Sequence, residues 1–257
     1  MAISIKSERE IELMRHAGEV LAKTHQELAE YIKPGTTTWH INKIADEIIR
    51  SYSCIPSFLN YSGYPASVCI SVNEEVVHGI PSKKNIIKDT DIVSIDAGVI
   101  WKGYHSDAAR TYAMPAASKE ALDLIKVTEE SFFEGIKYAK SGNFLNDICS
   151  AIDEYLSSRG YGIVRDLVGH GVGPTMHEEP MVPNYGVAGR GLRLREGMVL
   201  TIEPMINTGD WEIDTDMKTG WAHKTIDGGL SCQYEHQFVI TKDGPVILTS
   251  QGEEGTY

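Results

Sequence analysis

The sequence predicts a mixed fold, α/β or α+β, built from one helix–helix–strand unit used twice. Three observations predict it: helical periodicity gives way to strand-like alternation, the same order recurs in the second half, and short segments of the halves can be laid over each other. At 257 residues the chain can bury a large core, in one domain or two small ones. No Pro/Gly/Ser-rich linker or charge run divides it, so residues 1–257 are read as a single domain.

The elements follow in order. Ser7 and Glu10 form an S-x-x-E capping box ahead of Ile11, Met14, Leu21, Leu28 and Ile32, whose spacing predicts a long amphipathic helix ended by "KPGT". A second helix is expected from about Thr38, with Ile41, Ile44, Ala45, Ile48 and Ile49 on one face. Strand-like runs come next, at 67–72, 91–100 and 104–113, rich in β-branched residues. Ser118 then opens a helix carrying Leu122, Ile125, Phe132 and Ile136, and "FLNDICSAIDEYLSSRGYG" supplies a fourth with Gly160 as its stop. Two further strands are read at 197–206 and 232–241. Laid over each other, the halves match Asp96 with Glu203, His78 with His170 and Asp107 with Glu235. A pseudo-twofold arrangement would bring these positions to one central point.

Composition excludes several classes. No apolar run approaches the roughly 18 residues of a membrane helix, and the N-terminus becomes charged too early for a signal peptide, so a cytoplasmic protein is expected. Cys54, Cys69, Cys149 and Cys232 are scattered without CxxC pairing, against a disulfide framework or zinc ribbon. The formal charge of −12 without a Lys/Arg cluster disfavours nucleic acid as a partner.

The segment "DAGVIWKGYHSDAAR" (96–110) carries the first chemical signal. Folded symmetrically about Trp101 and Lys102, it sets Asp96 directly opposite Asp107. Cross-strand neighbours have Cβ atoms about 5 Å apart, where like charges destabilise; at an effective dielectric of about 20 the repulsion is roughly 3 kcal/mol. Either a cation compensates, or the two carboxylates splay into solvent. Glu203 inside "MVLTIEPMI" and Asp96 after "IVSI" both lie where an unpaired carboxylate is costly to bury. With His170 between glycines and Glu235, the set becomes Asp96, Asp107, His170, Glu203 and Glu235. Four carboxylates and an imidazole suit a pair of divalent ions such as Mn, Fe, Co or, less selectively, Zn. Paired ions of this kind activate water in hydrolases. His16, His25, His40, His105, His223 and His236 read as surface or core residues.

Together "VVHGIP", "DAGVIWKGYHSDAART", "GHGVGPTMHEEPMVPNYG", "GMVLTIEPM" and "QYEHQ" resemble the signature blocks of the type I methionine aminopeptidases, across nearly the whole chain. The resemblance implies the α+β pita-bread fold, with the duplicated units around a central curved antiparallel sheet, and removal of the initiator methionine from nascent polypeptides. It implies Asp96 as ligand of one ion, Asp107 and Glu235 as bridging ligands, and His170 and Glu203 on the second. It further implies His177 at the developing oxyanion, His78 near the scissile nitrogen and Glu203 as proton shuttle. The methionine pocket would be lined by Tyr61, Tyr64, Cys69 and Trp221, with Phe58 and Met176. Ser62 and Met176 depart from the family, which often has histidine and phenylalanine there. The chain resembles the compact bacterial form, expected to act as a monomer, with nascent polypeptide N-termini as partner and transient ribosome proximity, without nucleic acid or membrane. Two rival readings share the scaffold: a proline-specific prolidase or aminopeptidase P, and an inactive peptide-binding module.

Overall fold

The computed structural model describes residues 3–252. Its first half opens with helix α1 (Glu8–Ala29), whose start the capping box sets: Ser7 Oγ accepts the Glu10 N–H and the Glu10 carboxylate accepts the Ser7 N–H at 2.8 Å. Helix α2 (Thr38–Ser51) begins where Thr37 Oγ1 accepts the His40 N–H. Strands β1 (Ile55–Pro56), β2 (Val68–Val72), β3 (Glu75–Val77), β4 (Ile92–Trp101) and β5 (Tyr104–Ala113) follow. The second half repeats the order with α3 (Lys119–Ile136), capped by Ser118, and α4 (Leu145–Ser157). Then come β6 (Gly162–Ile163), β7 (Gly169–Gly171), β8 (Glu178–Val182), β9 (Val199–Ile202) and β10 (Met205–Asn207). Strands β11 (Ile213–Thr215), β12 (His223–Thr225), β13 (Ser231–Gln233), β14 (His236–Thr241) and β15 (Gly244–Ile247) close the chain.

Each helix pair buries its apolar face on its own strands. Leu21, Leu28, Ile41 and Ile49 pack with Ile70, Val93 and Ile95, while Phe132, Ile136, Ile148 and Ile152 pack with Leu200, Ile202, Ile206 and Phe238. A smaller cluster of Met14, Val172, Val199, Val239 and Leu248 seats α1 against the second half. In α3, Leu122 is 50% exposed, against the expectation; the buried face runs through Ala121, Leu124, Thr128 and Phe132, one position out of phase with it.

The strand pairing corrects the expected register. β4 and β5 turn at Lys102 and Gly103, whose φ of +48° and +85° are what a two-residue type I′ turn needs. Asp107 therefore pairs with Gly98, and Asp96 with Ala109. The slip is by an even number, so both aspartates stay on one face as diagonal neighbours.

The runs at 197–206 and 232–241 each divide in two, as β9 with β10 and β13 with β14. Ile202 pairs with His236 and Met205 with Gln233, so one register continues across the break and places Glu203 opposite Glu235. Pro204 has no N–H for a ladder, and Glu235 turns its backbone to the other half. Its N–H donates to the Ala109 carbonyl at 3.0 Å and its carbonyl accepts from the Ala109 N–H at 3.3 Å. The two halves meet at this pair.

Candidate metal centre

All five expected ligands line one cavity of about 440 Å³, at the seam between β4–β5 and β9–β14. Asp96 projects from β4 and Asp107 from β5, Glu203 and Glu235 flank the break in the second ladder, and His170 sits in the middle of β7. β7 lies between β9 and β8, and its glycines make room for that. A Cβ at Gly169 would stand 2.7 Å from the Thr201 carbonyl oxygen, and one at Gly171 2.5 Å from that of Glu179. Ligand atoms of Asp107, His170 and Glu235 lie within 4.8 Å of one another, the one such group among the described residues.

The hydrogen-bond inventory shows what this cluster lacks. Asp96 Oδ1, Asp107 Oδ1 and Glu235 Oε1 are buried without a partner. His170 Nδ1 lies 2.9 Å from the Gly171 carbonyl oxygen, which can only accept, so that nitrogen carries the ring proton. Nε2 then presents a lone pair to Asp107 Oδ2 at 3.6 Å and Glu203 Oε1 at 3.7 Å. Acceptors facing acceptors in a buried space are the donor set a cation satisfies, and hard oxygens with one imidazole fit a divalent ion.

The electrostatics agree. Burial, with the repulsion of Asp107 and Glu203, holds the Asp96 carboxyl well above the usual range. Glu203 and Glu235 are raised by burial and the Asp107 charge. Burial pushes Asp107 up to about 7. Burial and the neighbouring His177 lower His170 to about 3, which leaves its imidazole neutral near pH 7. A divalent cation among these groups would offset the repulsion that the ionised carboxylates otherwise feel.

The other expected residues surround the cluster. His177, at the end of the loop between β7 and β8, lies with its ring 4.3 Å from that of His170 and tilted 56° to it, and its Nδ1 lies 2.8 Å from Tyr61 Oη. His78 follows β3 with φ +58°, a strained value for a residue with a side chain, and faces Trp221 at 6.4 Å. Burial first, then His223 and His177, lowers it to about 4. Phe58, Tyr61, Tyr64, Cys69 and Trp221 line the apolar wall. Met176, 1% exposed, packs in the same apolar cluster as Phe58 and Tyr64 without lining the cavity.

Sequence reasoning passed over several lining residues, among them Val77, Asp166, Leu167 and Met205, and Glu178, which reads from the sequence as a solvated surface charge, lines the cavity instead. The signal was adjacency: Val77 precedes His78, and Glu178 follows His177. His223, read as surface or core, is partly buried with its ring 5.4 Å from that of His78. The four cysteines are buried and free, and no described helix is long and apolar enough to cross a membrane.

Comparison with known proteins places this geometry. Residues 12–242 match metallopeptidase family M24. A methionine aminopeptidase of Clostridium acetobutylicum is 51% identical over 247 residues, covering 96% of this chain and 98% of the relative. The crystal structure of methionine aminopeptidase from Rickettsia prowazekii superposes with a TM-score of 0.95 at 40% identity, over 97% of this chain and 100% of that one. A prolidase from Pyrococcus furiosus gives a TM-score of 0.78 at 25% identity, and the match covers 96% of this chain but 65% of that one. The fold is thus the pita-bread fold that methionine aminopeptidases and prolidases share.

Proposed function

The chain belongs to metallopeptidase family M24 and is a metal-dependent aminopeptidase; from that premise we propose that it removes the initiator methionine of nascent polypeptides, preferring a small second residue. The observation that carries the reading is His170 Nε2 facing the Asp107 and Glu203 carboxylates at 3.6 and 3.7 Å inside a cavity with an apolar wall. Asp96, Asp107 and Glu235 would hold one divalent ion, and Asp107, Glu235, His170 and Glu203 a second, drawn from Mn, Fe, Co or Zn. Divalent ions there supply Lewis acidity, which acidifies water and polarises a carbonyl.

The remaining roles belong to the chain's own groups. His177 is assigned to the carbonyl oxygen of the scissile bond, where a neutral imidazole donates a hydrogen bond to developing charge. Burial holds its pKa below the ordinary value, in keeping with that neutral form. His78 is assigned to the scissile amide nitrogen, with burial supporting its neutral form near pH 7. Glu203, whose carboxyl is held above the ordinary range, is assigned proton transfer between the attacking water and the leaving amine. The wall of Phe58, Tyr61, Tyr64, Cys69 and Trp221 suits an unbranched thioether side chain. Met176 supports that wall from behind.

In this reading the chain works as one catalytic domain over residues 1–257 and as a monomer in the cytoplasm. Nascent N-termini are its partner, met in transient proximity to ribosomes. The test offers Met-Ala-Ser beside an Xaa-Pro peptide with Mn²⁺ or Co²⁺ present. Release of methionine from Met-Ala-Ser is the expected result. Preferential cleavage of the Xaa-Pro bond would transfer the chain to its proline-specific relatives, and no cleavage of either would leave a binding module.

A further inference from the structure

We infer that Lys6 is a positioning residue for the active site, acting through a buried ion pair with Glu178 that fixes the loop carrying His177. Lys6 Nζ lies 2.6 Å from Glu178 Oε2, and the two side chains are 2% and 14% exposed. The pair spans 172 positions of sequence, from the segment before α1 to the first residue of β8. Lys6 is anchored at its own backbone, where its N–H donates to the Gly197 carbonyl at 2.8 Å. The lysine is therefore held from the second half of the molecule and cannot follow a loop that drifts.

Glu178 ties the other end. It lines the cavity and directly follows His177. Its second oxygen, Oε1, accepts the Thr175 hydroxyl at 3.2 Å, and the Gly173 N–H donates to the Thr175 carbonyl at 3.1 Å, which closes the loop on itself. Gly173 packs against the pair: a Cβ there would lie 2.4 Å from Glu178 Oε1 and 2.6 Å from Lys6 Cε. A charge pair this enclosed costs desolvation that a pair of neutral side chains would avoid, so its stability contribution is a weak reason for its presence. What it fixes is geometry. Removing the ammonium leaves a carboxylate in a largely enclosed space, and that carboxylate turns toward the open cavity to find water, drawing the neighbouring His177 with it. A displacement of about 1 Å at a group that acts on the transition state is enough to cost about a hundred-fold in rate.

The kinetic readout rests on the proposed function. The test compares Lys6→Met, Glu178→Gln and the double variant for release of methionine from Met-Ala-Ser, with Mn²⁺ uptake followed by calorimetry. Lys6→Met is expected to lower kcat by about ten-fold or more with KM within about two-fold and Mn²⁺ uptake unchanged. The double variant, which leaves neither charge unpaired, is expected to regain most of that loss. Wild-type kcat in Lys6→Met, or a loss that the second substitution does not relieve, would overturn the inference. Should Lys6→Met fail to fold, the double variant is measured against Glu178→Gln. Higher activity in the double supports the pairing, and equal or lower activity overturns it. A wild-type chain that releases no methionine would instead sink the proposed function, so the two failures are told apart.

Discussion

Tyr61 stands between Asn60 and Ser62, both in the left-handed region with φ of +67° and +49°, and its hydroxyl meets His177 Nδ1 at 2.8 Å. Strain of that kind persists where surrounding contacts over-determine it. Burial and the Asp107 charge raise the Tyr61 phenol, so it keeps its proton and can donate. A phenol donating to Nδ1 leaves the single proton of a neutral imidazole on Nε2, the atom free to face a substrate oxygen. Tyr61→Phe is therefore expected to lower kcat by about three- to ten-fold, the worth of one neutral hydrogen bond, with little change in KM. Steady-state kinetics on Met-Ala-Ser check this. A raised KM at unchanged kcat would reduce Tyr61 to a wall of the pocket. At this scale the carboxylates were legible because Asp96 and Glu203 interrupt apolar runs. The bond from Tyr61 to His177 and the pair of Lys6 with Glu178 were not, since nothing local marks partners 116 and 172 positions apart.

The β4–β5 hairpin shows how turn chemistry overrides apparent symmetry. Centring the segment on Trp101 and Lys102 faces the aspartates, but the turn goes where Gly103 can take φ +85°. Only its partner Lys102, at φ +48°, is strained. Asn tolerates that region better than Lys, so Lys102→Asn is expected to stabilise the protein by about 0.5–1 kcal/mol at unchanged activity. A urea unfolding midpoint measures it, and a lower midpoint would contradict the turn assignment. Helices were legible from caps and spacing: α1 and α3 start just after Ser7 and Ser118, and α2 starts at Thr38, where its apolar periodicity places it, although its Thr37 cap went unread. The breaks at Glu203 and Glu235 were not, because an apolar run reads the same whether its ladder is continuous or opens to admit the other half. The Glu235–Ala109 pair that opens it is a tertiary contact.

Across the whole molecule, two helix-backed ladders bring acidic side chains from both halves to one seam, and the fold bears the resulting repulsion. Without a cation, Asp107 titrates near 7 and Asp96, Glu203 and Glu235 are displaced upward too. The folded chain then binds more protons than the unfolded one from the ordinary carboxylate range, about 4, up to the raised folded values, about 7 for Asp107. That contribution to stability is fully present below this window and is lost as pH rises through it. Divalent ions compete with those protons, so their stabilising effect grows with pH. Thermal unfolding with Mn²⁺ and with chelator should differ more at about pH 8 than at about pH 5.5, and a difference independent of pH would contradict the linkage. The duplication was legible from the recurring order of elements, and with it the meeting of Asp96, Asp107, His170, Glu203 and Glu235 at one point; the backbone pair of Glu235 with Ala109 that joins the halves there depends on packing that no short segment encodes. The most direct test of the central claim, that these carboxylates and His170 cage divalent ions while His177 acts on substrate, is calorimetric titration of the chelator-treated protein with Mn²⁺. Wild type and His177→Ala should take up the ion alike, with His177→Ala losing most of its rate, and Asp107→Ala should lose uptake. No uptake by wild type, or equal loss in both variants, would contradict the account.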